Sequence, residues 1–96
     1  MLIARVVGSA VSTIKDPKLT GLKLLIVRET TPKNEIVGEP FVAADTVGAG
    51  EGELVLVAMG SAARFTLKTC DAAVDAAIVG VIDSLEEDGE TVFIKE

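Results

Sequence analysis

The glycine-rich stretch over residues 47–64, VGAGEGELVLVAMGSAAR, constrains the fold of this chain more than any other part of it. Gly48, Gly50 and Gly52 alternate near its start. Glycine at this density indicates backbone that has a positive φ angle or lies very close to another segment. The following residues 54–57 are all apolar, which in a strand indicates burial on both faces. The stretch therefore predicts a tight structural turn that leads into a buried strand.

The end of the same stretch predicts a short helix. Gly60 interrupts the strand pattern, and Ser61 can cap the free N–H groups at a helix start. Ala62, Ala63 and Arg64 follow and are good helix formers. Arg64 is expected to bind a carboxylate or backbone carbonyl groups, across a subunit boundary if the chain assembles, because a guanidinium makes several hydrogen bonds at once.

Alternating and continuous apolar runs predict five or six strands in the whole chain. The predicted strands are residues 2–13 with a bend at Gly8, residues 22–29, the short pieces 36–37 and 41–44 split by Gly38 and Pro40, the central strand, residues 75–85, and residues 91–94. Residues 15–21 are expected to be a loop and residues 30–35 a hairpin connection, while an Asp-Gly pair at residues 88–89 predicts a closing β-hairpin. This order is typical of an all-β fold, a small Greek-key barrel with one short helix between strands 4 and 5.

The composition favours one domain, residues 1–96, that associates with other subunits. Hydrophobic residues make up 49% of the chain, but there are only three Phe and no Trp or Tyr, so the core is expected to be aliphatic. A small barrel cannot readily hide so many apolar side chains, and part of them are expected to face another subunit. The net charge of −6 repels phosphate backbones, so nucleic acid is not an expected partner.

The compartment is expected to be the cytosol. No run approaches the roughly 18 apolar residues that a membrane helix requires, and the first residues lack the pattern of a signal peptide. Cys70 is the only cysteine, so an internal disulfide is excluded and a reducing compartment is favoured. No membrane partner is expected.

The residues that could carry catalysis do not form a recognisable site. The glycines do not match the G-x-G-x-x-G or Gly-Lys-Ser/Thr patterns of phosphate loops. Ser61 and Cys70 have no histidine to act as their base, because the chain contains none. Asp71, Asp75 and Asp83 lack the spacing of a calcium loop and the Cys or His partners of a zinc site, so they are interpreted as solvated carboxylates. We expect no enzymatic activity, no cofactor and no metal.

Two classes of small β-domain are excluded by missing side chains. A barrel that binds oligonucleotides stacks bases on aromatic residues in a basic groove, and this chain has neither feature. A lipoyl or biotinyl carrier needs its lysine in a Met-Lys-Met or Asp-Lys-Ala context, whereas Lys23 lies in Leu-Lys-Leu and Lys68 in Leu-Lys-Thr. A non-catalytic, oligomeric β-barrel module that binds a small molecule remains as an alternative.

Seven segments carry a family resemblance that covers nearly the whole chain. They are residues 3–8, 11–13, 22–25, 43–50, 55–57, 60–64 and 74–83. In these segments the sequence resembles the pentameric vertex proteins of bacterial microcompartments, the EutN/CcmL type that includes carboxysome and ethanolamine-utilisation vertex subunits. The resemblance implies a five-stranded barrel of the oligonucleotide-binding (OB) type and a homopentamer that closes the vertices of a polyhedral shell tiled by hexameric shell proteins.

Small and polar residues around the central strand are the expected subunit interface if this resemblance holds, because they allow neighbouring subunits to approach closely. The expected interface residues are Gly60, Ser61, Ala62, Ala63, Arg64, Asp75 and Asp83.

Overall fold

The structure is a computed structural model that describes residues 1–13, 15–17, 19, 21–65 and 74–96. The strands within these residues are β1 (Leu2–Ala10), β2 (Lys23–Thr30), β3 (Ile36–Asp45), β4 (Leu54–Met59), β5 (Ala76–Val81), β6 (Ser84–Glu87) and β7 (Glu90–Ile94). One 3₁₀ helix, Gly60–Arg64, follows β4.

Five strands close a barrel in the order β1-β2-β3-β5-β4, with β4 returning to pair with β1. All neighbours are antiparallel except β3 and β5, which pair in parallel at Ala44 with Ala77 and at Asp45 with Ile78. A five-stranded Greek-key barrel of this kind is the OB architecture. The predicted fold class, with one short helix between strands 4 and 5, is confirmed.

The barrel interior is filled by small aliphatic side chains, as the composition predicts. Val6, Val27, Val55, Val57 and Ile78 are at most 1% exposed. The buried residues alternate along β1 and β2, because successive side chains of a strand point to opposite faces. In β4 the burial extends to both faces, which confirms the prediction from its continuous apolar run.

Strand β3 is one continuous strand of ten residues, so the prediction of two short pieces split by Gly38 and Pro40 is wrong. The ladder with β2 runs along it, with Pro40 opposite Arg28, and Arg28 Nε donates a hydrogen bond to the Gly38 carbonyl at 2.9 Å. On its other side β3 pairs with β5 only at its last two residues, as far as the described residues go. Pro40 therefore lies in an edge section, where its missing N–H costs no ladder hydrogen bond.

Two other predicted strands have different bounds. Strand β1 ends at Ala10 rather than at residue 13, and its ladder with β2 is irregular between Val6 and Gly8, where the bend was predicted. The run predicted as one strand over residues 75–85 divides into β5 and β6. Ile82 still continues the antiparallel register of β4 with β5, because its N–H donates to the Leu54 carbonyl at 2.9 Å, and the chain enters β6 only at Ser84.

Strands β6 and β7 form a separate two-stranded sheet, named here the C-terminal hairpin. Asp88 and Gly89 connect them with φ angles of 56° and 79°. Positive φ at both central residues is the requirement of a type I′ turn, which the Asp-Gly pair satisfies. The predicted closing hairpin is confirmed, and it brings the strand number to seven in the described chain, one more than the largest number predicted.

Candidate functional site

The glycine turn, residues 47–53, needs glycine at two positions for its backbone conformation. Gly48 and Gly52 have φ angles of 78° and 89°, and a Cβ added at either would meet no atom within 4 Å. Glycine is therefore needed at these two positions because of the backbone conformation, not because a side chain would clash. Gly50 has no positive φ, but its Cβ would lie 3.3 Å from Glu53 Oε1. Gly50 is thus restricted by a neighbouring side chain.

Asp45 holds the start of the glycine turn. Its carboxylate Oδ1 accepts hydrogen bonds from the N–H groups of Val47 at 3.0 Å and Gly48 at 3.1 Å, and the residue is only 5% exposed. An aspartate that bonds backbone groups two and three residues later forms an Asx-type turn. Sequence reasoning missed Asp45, although an Asp placed three residues before a glycine was the available signal.

Most amide donors of the glycine turn are used within the chain: the N–H groups of Val47 and Gly48 bond Asp45, and the Glu53 N–H donates to the Gly50 carbonyl at 3.2 Å. The Gly52 N–H donates to the Val6 carbonyl at 2.8 Å, and the Val6 N–H donates to the Glu53 carbonyl at 3.0 Å. The Gly50 N–H donates to Glu53 Oε1 at 2.6 Å. A phosphate loop would instead leave such N–H groups free for a ligand. The geometry therefore favours a structural turn that is fastened to β1.

The 3₁₀ helix is not capped by Ser61, and that prediction is wrong. The N-cap position belongs to Met59, which has an extended backbone, and no side chain makes a capping hydrogen bond there. Ser61 lies two residues after the N-cap, inside the helix. The helix start is fixed instead by the Gly60 N–H, which donates to the Asp75 carbonyl at 2.7 Å.

The expected interface residues fall into three environments. Gly60, Ser61, Ala62, Arg64 and Asp75 are exposed and lie together at the end of the barrel where β4 finishes and β5 begins. Phe65 joins them and is 86% exposed. These six residues are named here the helix patch.

Ala63 and Asp83 do not belong to the helix patch. Ala63 is 0% exposed, so it packs inside the subunit and offers no surface to a neighbour. Asp83 is exposed but follows the far end of β5, which at about 3.3 Å per residue places it on the order of 20 Å from Asp75. There its carbonyl accepts the Lys95 N–H at 2.7 Å.

Arg64 forms a hydrogen bond within its own chain. Its Nη1 donates to the Val74 carbonyl at 3.2 Å on the exposed surface. This bond links the end of the 3₁₀ helix to the residues just before β5. Lys68, Cys70 and Asp71 lie outside the described residues.

An ion pair connects the glycine turn to the C-terminal hairpin. Lys95 Nζ lies 2.8 Å from Glu53 Oε2. The Lys95 hydrogen bond, followed by the bond from the Gly50 N–H, lowers the pKa of Glu53 below its ordinary value. The same contact with Glu53 raises the pKa of Lys95.

The described residues contain no cluster of three or more His, Cys, Asp or Glu side chains that could hold a metal ion. Within that same part of the chain, no helix is long and apolar enough to cross a membrane.

Comparison with known proteins agrees with this architecture over the full chain. The chain is 44% identical over 95 residues to the carboxysome shell vertex protein CcmL of Thermosynechococcus vestitus, covering 99% of this chain and 96% of the relative. The structure of CcmL from Nostoc sp. PCC 7120 superimposes with a TM-score of 0.92 at 43% identity, covering 99% of this chain and all of the other. GrpN of Rhodospirillum rubrum, described as a pentameric microcompartment shell protein, superimposes with a TM-score of 0.81 at 44% identity, covering 91% and 99% of the two chains.

The family model described as ethanolamine utilisation protein EutN/carboxysome matches residues 1–83, which include the whole barrel, the glycine turn and the helix patch. The chain belongs to the EutN/carboxysome family of microcompartment shell proteins.

Proposed function

We propose that this chain is a structural shell protein, five copies of which form a pentamer that caps the vertices of a polyhedral microcompartment in the bacterial cytoplasm. The observation that carries the proposal is the full-length likeness to shell vertex proteins, one of them a pentamer. A vertex subunit needs no reactive group, because its task is to present complementary surfaces to identical neighbours and to hexameric shell proteins.

Exposed apolar side chains support an assembly. Monomeric proteins seldom expose so much large apolar surface on so small a chain. Within the described part of the chain, the exposed large hydrophobic residues are Met1, Val11, Val37, Val42, Val47, Met59, Phe65 and Ile94.

We propose the helix patch as part of the contact between neighbouring subunits. Its small residues Gly60, Ser61 and Ala62 allow the backbone of a neighbour to approach closely, and Phe65 offers a large apolar side chain for burial. Arg64 uses one of its five guanidinium donors on Val74, and a carboxylate of the neighbour could accept others.

Native mass spectrometry tests the assembly directly. Five subunits of 9.9 kDa give a particle of about 50 kDa, while a trimer would give about 30 kDa and a monomer 9.9 kDa. A particle of about 50 kDa supports the proposal. A stable trimer would contradict it, because a fivefold vertex cannot be filled by threefold units, and a monomer that binds a metabolite would favour the small-molecule module instead.

An Arg64→Ala variant tests the helix patch within that assembly. We expect a smaller pentamer fraction at equal protein concentration, because the neighbour loses a charge-assisted partner. Lys33→Ala is the matched control, since Lys33 is also an exposed cation but lies in the β2–β3 connection. Equal pentamer fractions in the two variants would contradict a role for Arg64 in the contact between subunits.

A further inference from the structure

The C-terminal hairpin has no ladder with the barrel in the described part of the chain. It follows the Ile82–Leu54 hydrogen bond, and the Lys95–Asp83 hydrogen bond closes its base. A two-stranded hairpin is marginally stable by itself in water. Side chains that reach across to the barrel can therefore fix its position.

A cleft of about 470 Å³ separates the end of the hairpin from the barrel. Gly52, Glu53 and Asn34 line the barrel side, while Phe93 and Lys95 are among the residues that line the hairpin side. The Glu53–Lys95 ion pair spans this cleft at 2.8 Å. It joins a residue of the glycine turn to a residue just after β7.

The two carboxylate oxygens of Glu53 have different partners. Oε1 accepts the Gly50 N–H at 2.6 Å within the glycine turn. Oε2 pairs with Lys95 Nζ. The turn hydrogen bond restricts the carboxylate and leaves its second oxygen for Lys95.

We propose that Glu53 is a positioning residue that fastens the C-terminal hairpin to the barrel through Lys95, using the glycine turn as its support. Both partners belong to one subunit, so the link forms whether or not subunits assemble. The fastened hairpin fixes where Phe93 and Ile94 lie, and hence which apolar surface the subunit presents beside the glycine turn.

Amide hydrogen exchange of the full chain, read by mass spectrometry for residues 84–96 and by NMR for the Gly50 amide, tests the link. In Lys95→Met the hairpin amides should exchange about two- to fivefold faster, the range that corresponds to a solvent-exposed ion pair. The barrel amides should be unchanged. Lys95→Arg, which keeps the charge, should restore the hairpin rates.

Variants of Glu53 separate its two contacts. Glu53→Gln keeps an acceptor for the Gly50 N–H but removes the charge, so it should loosen the hairpin as Lys95→Met does and leave the Gly50 amide protected. Glu53→Ala should loosen the hairpin and also expose the Gly50 amide. The Glu53→Gln/Lys95→Met double variant should loosen the hairpin no further than either single change.

High salt provides an independent test of the ion pair, because 1 M salt shortens the electrostatic screening length to about 3 Å. Hairpin exchange in the parent protein should rise toward that of Lys95→Met, whose own rate should change little. Parent-like hairpin exchange in Lys95→Met would overturn the proposal. Equal loosening of barrel and hairpin would also overturn it, as would a protected Gly50 amide in Glu53→Ala.

Discussion

Gly48 and Gly52 are residues of the glycine turn at which backbone conformation restricts substitution. Their positive φ angles lie in open space, so an added methyl group meets no atom and the cost comes from the backbone alone. Gly52→Ala should lower the free energy of unfolding by about 1–2 kcal/mol. Gly80→Ala is the control, because its Cβ would make only ordinary contact with Leu56 at 3.7 Å. Equal urea midpoints for the two variants would contradict this prediction.

Gly50 should respond differently from its neighbours in the glycine turn. Gly50→Val would displace the Glu53 carboxylate rather than strain the backbone. We expect its unfolding free energy to fall and its hairpin exchange to rise, since the ion pair with Lys95 is disturbed. Gly48→Ala should destabilise the chain without that effect on the hairpin, and hydrogen exchange distinguishes the two results.

Asp45 is a buried acceptor on which two backbone donors depend. Asp45→Ala leaves the N–H groups of Val47 and Gly48 without this partner, which should cost about 1–3 kcal/mol in chemical denaturation. Asp45→Asn retains an amide oxygen that can accept both hydrogen bonds, so its free energy of unfolding should fall less than that of Asp45→Ala. A larger loss for Asp45→Asn would show that the negative charge matters more than the acceptor.

The Glu53–Lys95 pair gives the hairpin a defined dependence on pH. Because folding lowers the pKa of Glu53, the stability that its carboxylate contributes is present above the ordinary pKa of 4.5. That stability is lost as the pH falls below 4.5. Because folding raises the pKa of Lys95, the stability that its ammonium group contributes is present below the ordinary pKa of 10.5. That stability is lost at higher pH. Asp83 also raises the pKa of Lys95, Glu96 lines the same cleft, and Arg5 Nε donates to Asn34 Oδ1 beside it at 2.9 Å.

An NMR titration of the Glu53 carboxyl carbon tests this assignment. In Lys95→Met the pKa of Glu53 should rise toward its ordinary value, because its largest stabilising partner is gone. An unchanged titration curve would show that the Gly50 N–H alone sets the pKa.

At the scale of elements, the C-terminal hairpin and the barrel should open independently of each other. Gly89 has a φ of 79° in the two-residue turn between β6 and β7, where a β-branched side chain is strongly disfavoured. Gly89→Val should therefore increase hydrogen exchange in β6 and β7 while the barrel amides keep their parent rates, because the two sheets share no ladder in the described structure. Increased exchange in β1 to β5 would indicate that the barrel depends on the hairpin.

At the scale of the whole molecule, assembly should make stability depend on concentration. A subunit that binds its neighbours only when folded gains stability by mass action. The Tm of the parent should rise with protein concentration, and that of Arg64→Ala should rise from a lower starting value. A Tm that is independent of concentration over a hundredfold range would argue for a folded monomer.

The sequence by itself determined the barrel class, the second strand, the glycine turn and the closing hairpin. These features depend on local signals, namely alternating apolar residues, a dense run of glycines and an Asp-Gly pair, whose physical effect is confined to a few neighbouring residues. The tertiary structure alone decided that β3 continues through Gly38 and Pro40, because the β2 ladder supports it there. It also decided that Ala63 is interior and that Glu53 reaches Lys95. Contacts between residues distant in sequence have no local pattern, so only the closed barrel brings them together.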